Sequence, residues 1–266
     1  MSEIKLGFIG AGNMAGAIIK GALEKNVIVP NHIIIYDIDT AKVKELQESY
    51  GIHGVASIAE LCEKCDILLT AVKPNILPEV LRGLCNIELP LISIAAGWSA
   101  EHIKEFYGEH KRVLRIMPNT PLMVGEGMSV FETPSSFNEH ELAFAKKLFG
   151  ALGKVSFAQA KQMDAVTAVS GSGPAYVYMF IEALADGGVL CGLPRAQALT
   201  LAAQTVLGAA KMVIDTAEHP GALKDAVCSP GGTTIEAVKT LEQHGFRGAV
   251  IDAVEQCAKK SGAMAK

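Results

Sequence analysis

The chain changes rhythm once, near residue 160. From residue 4 to about 157, short runs of branched apolar residues alternate with stretches of helical spacing. Ile4–Ile9, Ile33–Tyr36, Ile67–Ala71, Leu91–Ala95 and Val113–Met117 read as strands, and Ala15–Glu24, Ala41–Ser49, Pro74–Leu81 and Ala100–Tyr107 as helices between them. Alternation of this kind predicts right-handed βαβ crossovers and a parallel sheet covered on both faces. A strand near Met128–Phe131, a helix over Glu139–Phe149 and a last strand near Val155–Phe157 close this part. After Ala160 the strand signals end. Ser172 reads as the cap and Pro174 as the first turn of a long helix to about Leu190. An alanine-rich helix is expected from Pro194 to about Thr216, with Gly208, Ala209 and Ala210 small enough for close helix contact. A short helix follows His219-Pro220-Gly221. The last two start near Thr234 and Phe246, where Phe246, Val250, Ala253, Val254 and Cys257 share one stripe. The expected architecture is an α/β domain over residues 1–160 and an all-helical domain over 161–266.

Bulk composition narrows the partners. With 266 residues there is room for two modest domains, and a net charge of −4 argues against a nucleic-acid or membrane-surface partner. Met1-Ser2-Glu3-Ile4-Lys5 reads as running directly into a strand, so no leader is expected, and no apolar run is expected to reach membrane-spanning length. The six cysteines are scattered through apolar surroundings, as in a reducing compartment, so the expected location is cytoplasmic. Cys62 and Cys65 form a C-x-x-C, but no second pair or nearby histidine completes a metal site, and no bound metal is expected. A hydrophobic content of 50% is high for a chain of this size and favours burial between subunits.

The first strand ends in Gly10-Ala11-Gly12-Asn13-Met14-Ala15, followed by Gly16 and a helical pattern. This is G-x-G-x-x-A where a dinucleotide fingerprint belongs. The first glycine makes the turn, the second lets backbone approach a pyrophosphate, and the small third residue lets helix and strand pack. Asp37 ends the second strand, where an acidic group reaches the adenosine ribose 2′-hydroxyl and repels a 2′-phosphate, so it favours NADH over NADPH. Alternatively, Asp37 or Asp39 caps the next helix. Ala71-Val72-Lys73-Pro74, Ala95-Ala96-Gly97 and Asn119 leave the ends of later strands, where open α/β sheets bind ligands. Lys73 either faces solvent or lies near the nicotinamide half of a cofactor, as a candidate catalytic group.

In the other half, Ser229-Pro230-Gly231-Gly232-Thr233-Thr234 places a rigid proline and two permissive glycines before a helix start. Thr233 as cap, with Glu236 reaching back, makes a capping box. A glycine turn feeding a helix N-terminus leaves N–H groups aimed at one point, where the helix dipole favours negative charge. Ser229 and Thr234 add hydroxyls. A small carboxylate fits there; the same six residues also read as a capped helix after a tight turn.

Together these segments resemble the pyrroline-5-carboxylate reductase family over essentially the whole chain. The likeness rests on Gly10–Ala15, Ala71–Pro74, Ser93–Gly97, Met117–Pro121, Ser170-Gly171-Ser172-Gly173-Pro174-Ala175-Tyr176, Glu218–Gly221 with Leu223–Asp225, and above all Ser229–Ile235. It implies a Rossmann domain, a helical domain that interlocks with a second subunit, and hydride transfer from NADPH or NADH to the C=N bond of L-1-pyrroline-5-carboxylate, giving L-proline. It also implies that Ser229, Gly231, Gly232, Thr233 and Thr234 hold the substrate, with Thr234 the foremost catalytic candidate. Many NADP-preferring relatives carry Ser or Thr where this chain has Asp37. Of the rivals, a β-hydroxyacid dehydrogenase needs a lysine one turn past a glycine-rich helix start, and Gly171–Tyr178 contains none. A nucleotide-binding redox sensor would need the fingerprint but not the Ser229–Thr234 loop.

Overall fold

The computed structural model describes residues 4–264. The reading of Met1-Ser2-Glu3 as a lead into the first strand, and the last two residues of the helical domain, lie outside that range. Strands β1 (Leu6–Ile9), β2 (Ile33–Tyr36), β3 (His53–Gly54), β4 (Ile67–Thr70), β5 (Leu91–Ser93), β6 (Val113–Met117), β7 (Gly127–Thr133) and β8 (Gly153–Gln159) form one sheet in the order β3-β2-β1-β4-β5-β6-β7-β8. Pairing is parallel from β3 through β6; β7 runs antiparallel to β6, and β8 parallel to β7. β2 and β4 flank β1 on opposite sides, so strand order reverses beside β1. The crevice outside the strand ends at such a point is the ligand position of open α/β sheets.

Helices α1 (Asn13–Glu24), α2 (Thr40–Tyr50), α3 (Ile58–Lys64), α4 (Leu77–Gly83), α5 (Ala100–Tyr107) and α6 (Glu139–Gly150) cover the sheet. One face packs Phe8, Ile18, Ile35, Leu69, Phe131 and Leu148 into a core, and the other packs Ile9, Leu68, Leu81, Leu91, Ile103 and Val113. Two covered faces explain why the strands read as continuous apolar runs. Sequence reading named neither the two-residue β3 nor the bounds of α3, since a strand that short carries no period to detect.

The helical half comprises α7 (Met163–Val166), a π-helical turn (Thr167–Gly171), α8 (Gly173–Leu190), α9 (Arg195–Thr216), α10 (Pro220–Ala226), α11 (Thr233–Gln243) and α12 (Phe246–Met264). Ser172 is not an extended cap: its angles are helical, φ −90° and ψ −21°, because the chain enters α8 straight from the π turn. Two compact units emerge. The sheet unit runs through Ser172 and takes in residues 256–264; the helical unit spans Gly173–Glu255. Residues 161–172 group with the sheet because α7 and the π turn pack there: Met163 is fully buried in a small core with Met117 and Val130.

One expectation is corrected in α9. This 22-residue helix is long and apolar enough to cross a bilayer, by length and composition alone. Its six alanines and seven larger apolar side chains are interspersed with Gln, Thr and Lys, so no unbroken apolar run marks it in the sequence.

Candidate active site

In the sheet unit, β1 stops at Gly10 because its φ of +107° suits only glycine and because a Cβ there would stand 2.7 Å from the Ala71 carbonyl oxygen. Gly12 is the N-cap of α1, with φ −78° and ψ 179°, and no side chain among the described residues caps that end. The space a Cβ would take at Gly12 is open for 4 Å. The first-turn amides of α1, at Asn13 and Met14, therefore face an unobstructed approach, while Ala15 is fully buried against the sheet. That cradle fits a dinucleotide pyrophosphate: uncapped amides, the positive end of a helix and no side chain in the way. Beside it, a groove of about 360 Å³ between α1 and α2 is bordered by Ala11, Gly12, Asn13, Lys20 and Lys42.

The two acidic residues after β2 take different parts. Asp39 is the α2 cap, its Oδ1 accepting from the Ala41 amide at 3.2 Å. Lys42, hydrogen-bonded to Asp39, holds that carboxyl below its usual range. Asp37 does not cap. Its Oδ2 accepts from the Ala11 amide of the fingerprint turn at 2.6 Å and its Oδ1 from the Asp39 amide at 2.8 Å. An ionised carboxylate offers about four acceptor sites, so two stay open for a ribose hydroxyl.

Ala71 and Val72 are half-buried after β4, and Lys73 is exposed. Pro74 begins a turn closed by the Ile76 amide on the Lys73 carbonyl at 2.9 Å, so α4 starts at Leu77, three residues later than expected. After β5, Ala95 and Gly97 are buried and Ala96 half-buried. Asn119, after β6, is spent on the backbone: Oδ1 accepts from the Met128 amide at 2.8 Å, and Nδ2 donates to the Ser170 carbonyl at 3.1 Å. Its side chain ties together the segments that border the strand end.

The helical unit carries the second element. The Gly232 amide donates to the Ser229 carbonyl at 3.0 Å, and Gly231 has φ +67°, so Ser229–Gly232 is a turn with proline second and glycine third. The capping box is not formed. Gly232, extended at φ −79° and ψ 173°, is the N-cap, and Thr233 is already helical. Glu236 instead accepts from Lys239 at 2.8 Å. Because the turn uses the Gly232 amide, the candidate anion donors reduce to Gly231, Thr233 and Thr234. No side chain among the described residues caps this end, so the first-turn amides point outward, as at α1. Thr234 is half-buried, while Ser229 and Thr233 are exposed. A Cβ at Gly232 would lie 2.3 Å from Ser229 Oγ, so glycine is what lets that hydroxyl lie over the turn.

Elsewhere, burial pushes the Cys65 thiol up to about 12 and raises Cys62 as well, which disfavours the thiolate at both ends of the C-x-x-C. No metal-holding cluster occurs among the described residues. Sequence reading missed two charged residues, Arg115 and Glu132, both buried beneath the strand ends. The available signal was an arginine inside the apolar run Val113-Leu114-Arg115-Ile116-Met117, where a strand covered on both faces has no ordinary place for a charge.

Comparison with known proteins bears on both elements. Residues 160–264 match the family model for pyrroline-5-carboxylate reductase dimerisation, and residues 5–97 match that for NADP oxidoreductase, coenzyme F420-dependent. Pyrroline-5-carboxylate reductase of Escherichia coli is 44% identical over 99% of both chains, and that of Synechocystis 45% identical over 99% of both. Among solved structures, Plasmodium falciparum pyrroline carboxylate reductase with NADP bound superposes with a TM-score of 0.91, at 35% identity and full coverage of both chains.

Proposed function

The chain belongs to the pyrroline-5-carboxylate reductase family, and from that premise we infer that it reduces L-1-pyrroline-5-carboxylate to L-proline, the final step of proline biosynthesis. The observation that carries this reading is 44% identity over 99% of both chains with a reductase of that name. Two uncapped helix N-termini, each entered through a glycine turn, support it from the residues up.

A reduced nicotinamide dinucleotide, once bound, supplies the hydride for the C=N carbon. The amides of Asn13 and Met14, at the start of α1, would hold its pyrophosphate, and Asp37 would accept from its ribose. The segments Ala71–Pro74 and Ala95–Gly97 would border its nicotinamide half. In the helical unit, the amides of Gly231, Thr233 and Thr234 would take the substrate carboxylate, with Ser229 helping. Imine carbons accept hydride more readily once the nitrogen is protonated, so the protein needs orientation and a compatible hydrogen bond more than a strong base. Thr234 Oγ1 is the group we assign to the ring nitrogen. A threonine hydroxyl is a weak acid, so it positions the iminium N–H and passes on a proton drawn from water. Lys73, exposed and without an ion pair among the described residues, would add positive charge near the cofactor rather than act as a base. Holding the reacting carbons about 3–3.5 Å apart would account for much of the rate enhancement.

Asp37 supports a preference for NADH, since its carboxylate repels a 2′-phosphate. The exposed apolar side chains of α8 and α9 support a homodimer through the helical unit, open to larger assembly. Cysteine usage supports a cytoplasmic location. The deciding experiment is oxidation of NADH and of NADPH with L-1-pyrroline-5-carboxylate, beside a panel of hydroxy and keto acids. Turnover of the imine alone, faster with NADH, is the expected result. Turnover of a keto acid with none of the imine overturns the reading.

A further inference from the structure

The last rung of the central sheet is polar, although both sheet faces are packed. The parallel registers Thr70↔Ser93 and Ser93↔Arg115 set these three side by side. The antiparallel pairing Ile116↔Phe131 and Met117↔Val130 brings Glu132 opposite Arg115. All four are buried, at 0%, 0%, 3% and 4% exposure in that order. They share a face with Leu68, Leu91 and Val113, two residues earlier on their strands, in the core beneath α4 and α5.

The contacts lead from this rung into the loop between β5 and α5. Arg115 Nη1 donates to Glu132 Oε2 at 3.0 Å, and Glu132 Oε1 accepts from the Ala100 amide at 3.0 Å. Ala100 opens α5, so the carboxylate sits at the positive end of that helix, beside the Ser99 cap on the His102 amide. At the near end, Ser93 Oγ accepts from the Ala95 amide at 3.5 Å. From the other side, a Cβ at Gly97 would stand 3.2 Å from Met264 Cβ, where α12 closes on the loop and Ser261 donates to Asp164 at 2.7 Å. The segment Ile94–Ala100 is thus held from below by the charged pair and from above by the end of the chain.

The pair is not an economical way to stabilise a sheet. Arg115 Nε and Nη2 are buried without a hydrogen-bond partner among the described residues. A desolvated cation with two unmet donors destabilises the fold relative to apolar side chains of the same size, so stability alone does not account for it. We infer that Arg115 and Glu132 are positioning residues for dinucleotide binding: through the Ala100 amide they set the 94–100 loop, and with it the seat at the carboxyl end of β5. This rests on the dinucleotide reading above, and neither residue touches the reacting atoms.

Trp98, the chain's single tryptophan, lies in this loop at 7% exposure, with ring centroids 4.4 Å from His102 and 5.4 Å from Phe106. Its emission therefore reports the loop's packing without cofactor or turnover. The test is the double variant Arg115→Met with Glu132→Leu, an apolar replacement of the pair, beside Arg115→Lys, which keeps the charge and loses the fork. The double variant should melt at or above the temperature of the unmodified chain. Its Kd for NADH and NADPH should rise about tenfold, as for the loss of one hydrogen bond, with KM for the imine nearly unchanged and Trp98 emission moved to the red. Arg115→Lys should shift both readouts in the same direction by less. Unchanged dinucleotide affinity and unchanged Trp98 emission in the double variant overturn the inference. If that variant does not fold, unchanged values in Arg115→Lys overturn it equally. Weakened dinucleotide binding in a chain that reduces no imine supports the inference and counts against the substrate reading instead.

Discussion

The two compact units bury their apolar residues to very different degrees. In the sheet unit, Phe8, Ile18, Leu69, Phe131 and Phe149 are all at 0% exposure, packed on both sides of eight strands. In the helical unit, the buried core among the described residues is Ala185, Ala198 and Ala202, with Ile181, Val189 and Leu193 packed against them. There Met179 is 69% exposed, Leu190 89%, Ile214 64% and Ile251 67%. Large apolar side chains outside and alanines inside invert the usual order. A sheet closes its own core because helices cover both faces. Long helices with small residues at their contacts approach closely and leave their large side chains for something else, which we propose to be a second copy of the chain.

Substitutions at four positions break or sharpen this contrast. The largest effect is expected in the sheet core. Phe131 meets Phe149 and Phe157 edge-on, with ring centroids 5.9 and 5.6 Å away, so Phe131→Ala should cost about 3–5 kcal/mol in denaturant unfolding. A cost below 1 kcal/mol would mean that the sheet core is far looser than its burial indicates. Next is Met179→Glu on α8, which places a charge on the exposed apolar face. It should weaken subunit association by about 2–4 kcal/mol, seen as a lighter species in sedimentation and a melting temperature that depends on protein concentration. If mass and melting stay as before, that face is free surface and the contrast loses its meaning.

Smaller effects separate the two binding elements. Thr234→Ala should lower kcat/KM for the imine by about 1–3 kcal/mol, the scale of a lost buried hydrogen bond, and leave dinucleotide affinity alone. Steady-state kinetics without that loss remove Thr234 from the mechanism. Asp37→Asn keeps an acceptor for the Ala11 amide and removes the charge. The ratio of kcat/KM with NADPH to that with NADH should rise about tenfold, roughly 1.4 kcal/mol. An unchanged ratio would show that Asp37 serves only to hold the fingerprint turn. Asp37→Ser should shift the ratio the same way but weaken both cofactors, because the Ala11 amide loses its partner.

Much of this was legible before any fold was known. Branched apolar runs located β1, β2, β4, β5 and β6 to within two residues, since parallel strands buried on both faces must be apolar throughout. The long helices were equally plain from their spacing. Gly10, Gly12, Gly231 and Pro230 marked their turns because backbone sterics act within a few residues. What failed was also local in kind: the capping box at Thr233 and the cap at Ser172 depend on backbone angles, and residue types alone do not distinguish the last extended residue from the first helical one.

The sequence by itself determined the alternation, the switch to helices, the two glycine turns and the membership of a known family, because each is written in neighbouring residues. Tertiary structure decided that Asp37 grips the Ala11 amide, that Asn119 joins two segments, and that Arg115 faces Glu132 beneath the Trp98 loop. Those partners are 26, 51 and 17 residues apart, respectively. Register across a sheet sets such meetings, and it is fixed by the packing of both faces at once, which no single stretch of the chain encodes.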